Sequence, residues 1–275
     1  MTRIALFQSN TGIDPADNAG ALADAIGEAA AGGAEMLFTP EMSGLLDRDT
    51  ERARGNLRSE DEDPVLAACR EAARRHHIWL HLGSLAVLVD DSKVANRGFV
   101  IDREGVIRGR YDKIHLFDVD LPTGESWRES NTYAPGESVA LINGTPVGKL
   151  GLTICYDLRF PALFARLAES DADLISVPAA FTVPTGKAHW HVLLRARAIE
   201  AGLFVVAAAQ SGSHQDGRQT FGHSLVVDPW GELLLDMGDG PGVGFADIDL
   251  KRISDVRARI PALRHRRAIP DATTS

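Results

Sequence analysis

Cys155, Glu41 and Lys113 are the residues of this chain whose types and placement suit chemistry on a carbonyl carbon. Cys155 ends the apolar run Val147-Gly148-Lys149-Leu150-Gly151-Leu152-Thr153-Ile154 and precedes Tyr156-Asp157-Leu158-Arg159-Phe160-Pro161. That pattern predicts a buried strand stopping at a thiol, a tight turn, and a helix with Pro161 at its first position. A sulfur at the mouth of a sheet, near backbone N–H groups and the positive end of a helix, is favoured as thiolate. The alternative is a buried cysteine that only packs. A thiol nucleophile needs a base within reach and donors for the oxyanion that forms. Glu41 follows a short apolar run over 36–39, which puts a carboxylate at a strand's carboxyl end, where open α/β sheets bind ligands. A solvated loop glutamate is the alternative. Lys113, in Tyr111-Asp112-Lys113-Ile114-His115, follows a strand over 106–111, and its ammonium could hold a negative oxygen or simply face water.

The elements around these residues alternate. Strands over 4–8, 36–39 and 78–82 enclose an alanine-rich helix over 16–31, stopped by Gly32-Gly33, and a helix from Pro64 to about 77 with Asp63 as its cap. Strands over 85–89, 97–102 and 106–111, parted by Asp90-Asp91 and Asp102-Arg103-Glu104-Gly105, have the pattern of an antiparallel meander. Residues 115–136, with Pro122, Gly124, Pro135 and Gly136, predict a long functional loop ordered by Trp127 and Tyr133. Past Cys155 come a helix over 160–169, a strand over 174–177, a loop over 181–186, a helix over 187–201 and a strand over 203–209. The helix over 187–201 is apolar on most sides except at Arg195, Arg197 and Glu200, which predicts burial. Strands over 224–228, 232–236 and 242–249, with a turn at Pro229-Trp230-Gly231, form a second meander. Each half is strand–helix alternation followed by hairpins, the pattern of two sheets with helices outside. One domain spans 1–260, and a basic C-terminal tail spans 261–275 with Arg264-His265-Arg266-Arg267.

Two cysteines in 275 residues argue against a disulfide framework and fit a reducing cytoplasm. A net charge of −9 argues against nucleic acid and anionic membrane as partners. No apolar stretch reaches membrane-spanning length, and the first residues lack a signal-peptide pattern. Gly144–Lys149 lacks P-loop spacing, no dinucleotide fingerprint follows a strand, and no nucleophile elbow built on serine occurs. His189 and His191 lie two apart on a helix and point to different sides, His76 and His77 are adjacent, and Cys69 and Cys155 lack zinc spacing. We therefore expect no metal and no nucleotide cofactor.

Phe38-Thr39-Pro40-Glu41-Met42-Ser43-Gly44, the Lys113 segment through Asp118, and Gly151-Leu152-Thr153-Ile154-Cys155-Tyr156-Asp157 resemble the Glu-Lys-Cys motifs of the nitrilase superfamily of carbon–nitrogen hydrolases. Order and rough spacing match too, and the resemblance runs from about Ile4 to Asp249. It implies an α/β fold of four layers, an α-β-β-α sandwich, and a homodimer. It makes Glu41 the acid–base, Lys113 and the Tyr156 N–H the oxyanion donors, and Cys155 the nucleophile. Trp127 to Gly136 resembles the segment carrying a second glutamate, here Glu129, which would orient Lys113. The segments 122–136, 178–200 and 207–214 are most similar to the amidase branch that includes deaminated-glutathione amidase. That implies hydrolysis of a small carboxylated amide to carboxylate and ammonia, with deaminated glutathione the best single substrate. Action on 2-oxoglutaramate, as an omega-amidase, and on N-carbamoyl amines are the rivals, and a thiol redox sensor using Cys155 is the non-enzymatic one. Arg159 could clamp a substrate carboxylate or pair with Asp157. Phe181, Thr182 and Thr185 are the candidate pocket residues.

Overall fold

The computed structural model describes every residue except 91, 92, 121–123, 125, 274 and 275. Asp91 of the first expected turn and Pro122 of the long loop thus lie outside the described residues. The chain opens with β1 (Thr2–Gln8), α1 (Pro15–Ala31) and β2 (Met36–Phe38). The short α2 (Thr50–Asn56), β3 (Arg58–Ser59) and α3 (Pro64–His76) lead to β4 (Trp79–Leu88), β5 (Val94–Ile101) and β6 (Ile107–Asp112). A hairpin of β7 (Asp118–Asp120) and β8 (Ser126–Arg128) precedes β9 (Ala140–Thr145) and β10 (Gly148–Leu152). Alternation resumes with α4 (Pro161–Glu169), β11 (Leu174–Ser176), α5 (Val183–Ala201) and β12 (Phe204–Ala207). Then come β13 (Ser211–Ser213), β14 (Gln219–Phe221), β15 (Leu225–Val227), β16 (Leu233–Asp236), β17 (Gly242–Ile248) and α6 (Lys251–Arg259).

Among the described residues, one sheet runs β17-β1-β2-β4-β5-β6 with β3 against β4, and a second runs β16-β15-β12-β11-β10-β9. Side chains alternate across a strand, and β1 shows what that does. Ile4 and Leu6 join the core with Leu150, Leu152 and Leu174 of the second sheet, whereas Ala5 joins Leu22 and Ile26 of α1 and Leu66 and Cys69 of α3. On the far side, Phe164 and Leu167 of α4 and Trp190 and Leu194 of α5 close the core of the second sheet. The result is the α-β-β-α sandwich. Helix ends follow their caps: Asp14 accepts from Ala16 N at 2.8 Å ahead of α1, and Asp63 from Leu66 N at 2.8 Å ahead of α3.

Several boundaries differ from expectation. The segments 78–82 and 85–89 are one strand, β4, with a register shift between Leu82 and Leu85. Gly83 sits in that irregularity because a Cβ there would lie 2.1 Å from Thr39 O. Residues 115–136 are not a simple loop, since they fold into the β7–β8 hairpin and a 3₁₀ turn over Glu129–Asn131. Helix α5 begins at Val183 rather than 187, with Thr182 at its N-cap and Pro184 in its first turn, so most of the expected loop over 181–186 is helical. A proline there has no N–H to leave unpaired. Nor is α5 buried all round: Trp190 and Leu194 are buried, Val192 and Ile199 face outward. Arg197, expected on the polar side, is buried and donates twice to Leu158 O at 3.1 and 2.8 Å. Helices α2 and α6 and the β13–β14 hairpin were not expected. Their sequences are polar, with no buried residue in α2 and only Ile253 and Val256 in α6. In the basic tail, Arg266 pairs with Glu169 at 2.8 Å.

Candidate active site

The chain just past β2 turns sharply, and β4 holds that turn. Gly83 N donates to Thr39 Oγ1 at 3.0 Å, Met42 N donates to Ser84 Oγ at 2.9 Å, and Met42 adopts φ +57°. Glu41 is thereby fixed with both carboxylate oxygens engaged. Its Oε1 accepts from Lys113 Nζ at 2.9 Å and Asn96 Nδ2 at 3.0 Å, and its Oε2 from Ala180 N at 3.0 Å. Lys113 follows β6, tied to β5 by its N–H to Asn96 O at 3.0 Å. Its ammonium also meets both oxygens of Glu129, at 3.1 and 2.8 Å. Glu129, brought in by the 3₁₀ turn after β8, accepts further from Asn96 Nδ2 at 3.1 Å and Phe117 N at 2.7 Å. The β7–β8 hairpin is therefore the element that delivers the second carboxylate.

Cys155 lies beyond the end of β10, its N–H bonded to Pro178 O at 2.9 Å, in the left-handed region at φ +48°. A non-glycine residue held there is strained and needs surroundings that hold it. The buried Asp157 supplies them: its carboxylate accepts from Ile154 N at 2.9 Å, Tyr111 O–H at 2.7 Å and His115 N at 3.1 Å. His115 Nδ1 lies 2.7 Å from the same carboxylate, and its ring stacks 3.6 Å from that of Phe160. Asp157 thus serves the turn, and Arg159 does not pair with it.

Electrostatics assign the resting charges. Burial is the largest influence on Glu41 and opposes its charge, yet the Lys113 charge and hydrogen bonds from Cys155, Lys113 and Asn96 together hold its carboxyl below the ordinary range. Burial likewise opposes the Lys113 ammonium, but the charges of Glu129 and Glu41 keep it protonated well above the usual lysine range. Burial pushes the Cys155 thiol well up, the Glu41 carboxylate pushes it further, and Lys113 offsets only part. Cys155 therefore rests as a thiol hydrogen-bonded to a carboxylate, which overturns the expectation of a thiolate. The reason is structural: a 3₁₀ turn over Cys155–Arg159 intervenes before α4, and the group facing the sulfur is an anion. Cys69, on the buried face of α3, is pushed up to about 12 by burial, with Asp63 adding to it.

A cavity of about 730 Å³ opens over the thiol, and it is lined by Glu41, Lys113, Glu129 and Cys155 together with Tyr156, Arg159, Phe181, Thr182 and Thr185. All nine residues singled out from the sequence thus meet in one place. The Arg159 guanidinium lies 5.6 Å from the Phe181 ring centroid and 3.3 Å from His189 Nδ1, and no carboxylate among the described residues pairs with it. Thr182 and Thr185 hydroxyls bond one another at 2.8 Å. Sequence reading missed Asn96, whose amide bridges Glu41 and Glu129. An uncharged polar residue inside the apolar strand β5 was the available signal. It also missed Arg48 and Arg218, which flank the Trp127 ring at 4.7 and 5.1 Å from its centroid.

Comparison with known proteins agrees with this geometry. The profile of the carbon-nitrogen hydrolase family matches residues 3–258. The chain is 39% identical to the deaminated glutathione amidase of Yersinia enterocolitica, over 97% of this chain and 93% of that one. The Caenorhabditis elegans NitFhit crystal structure superposes with a TM-score of 0.88 at 39% identity, over 97% of this chain and 65% of that one. A mutant amidase from Nesterenkonia sp. AN1, with the acetamide moiety of fluoroacetamide covalently added at its active site cysteine, superposes at 0.82 with 27% identity, over 97% and 94%. With matched motifs, matched layers and a profile spanning nearly its whole length, the chain belongs to the carbon-nitrogen hydrolase family.

Proposed function

We propose that this carbon-nitrogen hydrolase is an amidase that works through a Glu41-Lys113-Cys155 triad. The observation that carries the reading is the meeting of Cys155, Glu41 and Lys113 at one buried cavity wall, with Lys113 Nζ 2.9 Å from Glu41 Oε1. Glu41 takes the thiol proton as the sulfur attacks the amide carbon. Lys113 and the Tyr156 N–H stabilise the oxyanion of the tetrahedral intermediate. Glu41 passes its proton to the leaving nitrogen, the C–N bond breaks, and an acyl thioester remains on Cys155. A water deprotonated by Glu41 then hydrolyses the thioester to a carboxylic acid. Glu129 orients Lys113 and shares its charge.

The proposed substrate is a small carboxylated amide, with deaminated glutathione first. Its amide nitrogen belongs to cysteinylglycine, so that dipeptide leaves rather than the ammonia expected from the sequence. Arg159, with no carboxylate partner of its own among the described residues, is the proposed clamp for a substrate carboxylate. A cavity of about 730 Å³, whose wall also holds Arg48, Arg128 paired with Asp120 and Arg218 paired with Asp216, has room for a ligand larger than 2-oxoglutaramate. Both amides yield 2-oxoglutarate, so its release by purified protein compares them directly, with Cys155→Ser as the blank. We expect the tripeptide analogue to be preferred in kcat/KM and the variant to be inactive while still folded. Preference for 2-oxoglutaramate would make the protein an omega-amidase, and turnover by Cys155→Ser near that of wild type would overturn the nucleophile.

The protein is further proposed to act as a homodimer in the cytoplasm. Val192 and Ile199, two turns apart on the outer face of α5, are 68% and 53% exposed, and Trp230 beside Ile199 is 46% exposed, an apolar patch suited to a second copy. Both cysteines are free, which fits a reducing compartment. Among the described residues no helix is long and apolar enough to cross a membrane.

A further inference from the structure

A second cluster of reactive side chains lies outside the catalytic cavity. His191 on α5, His223 between β14 and β15, and Asp236 at the end of β16 bring one nitrogen, one nitrogen and one oxygen within 4.8 Å of one another. His191 Nε2 lies 3.0 Å from Asp236 Oδ2, and His223 Nδ1 lies 2.9 Å from Asp236 Oδ1. None of the three lines the cavity over Cys155. We propose that His191, His223 and Asp236 form a site for a divalent transition-metal ion of the zinc type.

The donor set is the first argument. Two imidazoles and a carboxylate are ligands that Zn²⁺ favours, and a tetrahedral ion with bonds of about 2.0–2.1 Å needs its ligand atoms about 3.3 Å apart. Here the two imidazoles approach different oxygens of Asp236, at 3.0 and 2.9 Å, and one oxygen and the two nitrogens lie within 4.8 Å of one another, so small side-chain rotations would bring the set to that value. Water would complete the coordination from the solvent side, since each of the three side chains is between a quarter and a third exposed.

Pre-organisation is the second. The backbone of His223 is held on both sides, with its N–H on Gly238 O at 2.8 Å and its carbonyl accepting from Trp190 Nε1 at 2.7 Å. Its ring stacks 4.5 Å from Phe221, and that of His191 meets Phe221 edge-on at 6.1 Å. Gly238 N donates to Asp236 Oδ1 at 3.0 Å, so the carboxylate is oriented by a contact that is independent of both histidines. With Nδ1 of His223 on the ion, Nε2 would carry the proton and face solvent near the exposed Asp239, whose Oδ1 at 3.9 Å is beyond hydrogen-bond reach.

The ion would tie three separate segments together behind the cavity wall. Phe221, which packs on both imidazoles, donates its N–H to Phe181 O at 2.9 Å, and Phe181 lines the cavity. The expected role is therefore to brace that wall, with the chemistry at Cys155 left to the triad.

Calorimetric titration of the untagged full chain with ZnCl₂ tests this, in a Cys155→Ala background so that the thiol cannot bind metal. We expect one ion per chain with micromolar affinity and a rise in Tm of a few degrees at saturation. His191→Gln, His223→Gln and Asp236→Asn should each weaken binding by about tenfold or more. His189→Gln, on the other side of the same helix, should leave it unchanged. Each variant is first checked for an unaltered metal-free Tm. No saturable binding, or binding that all three substitutions leave intact, would overturn the site. Loss of binding in one variant together with its fold would leave the other two to decide.

Discussion

Asn96 is the smallest part of this site with a large consequence. Its amide hydrogens bond Oε1 of both Glu41 and Glu129, so it sets the separation of the two carboxylates that share Lys113. Asn96→Ala removes two hydrogen bonds to charged acceptors. We expect kcat to fall by about 10- to 100-fold with little change in KM. The same bond helps hold the Glu41 carboxyl down. Its loss should therefore move the acid limb of the kcat/KM profile to higher pH. An unmoved limb with a lower kcat would mean that Asn96 acts only through the fold.

At the scale of elements, the 3₁₀ turn over Cys155–Arg159 matters most. It holds a non-glycine residue in the left-handed region, and one buried carboxylate, Asp157, anchors it through Ile154, Tyr111 and His115. Asp157→Asn keeps the volume but turns an acceptor into a donor that faces other donors. Leaving such a group unpaired costs about 1–3 kcal/mol. Denaturant titration should show a loss of that size, and kcat should fall with it because the thiol is no longer held against Glu41. An unchanged kcat in a destabilised protein would detach the turn from catalysis.

The whole molecule has a pH weakness where its two sheets meet. His81 on β4 is buried, with Nε2 3.4 Å from Ser176 Oγ of β11, and burial pushes it down from 6.5 to about 3. The unfolded chain takes up a proton at this residue below about 6.5, while the folded chain refuses it until about 3. Stability must then fall as pH falls through that window, by up to about 1.4 kcal/mol per pH unit from this residue. Urea unfolding between pH 6.5 and 5 should show the slope, and His81→Gln should lower it by about that amount. His214, also pushed down chiefly by burial, would account for slope that remains. The outer face of α5 belongs to the same scale. If a second copy covers it, sedimentation should give twice the mass of one chain, and Val192→Glu with Ile199→Glu should halve it.

What the amino-acid order determined by itself was local. The apolar run that stops at Cys155, the proline starts of α3 and α4, the glycine stops and the motifs around Glu41, Lys113 and Cys155 all rest on neighbours in the chain. So did the layered alternation, because burying one face of each element leaves few ways to stack them. The tertiary structure decided whatever depends on atoms far apart in sequence. Asn96 is 55 residues from Glu41 and 33 from Glu129, and only the register of β5 beside the β7–β8 hairpin puts its amide between them. The protonation of Cys155 was read wrongly from the sequence, because desolvation and the facing Glu41 carboxylate dominate and a 3₁₀ turn stands between the thiol and α4. His191, two residues from His189, shows nothing in the sequence of the imidazole and carboxylate that β14, β15 and β16 fold against it. Side-chain chemistry is written residue by residue, but pKa, reach and partnership are properties of the packed interior, where low dielectric and fixed geometry set their values.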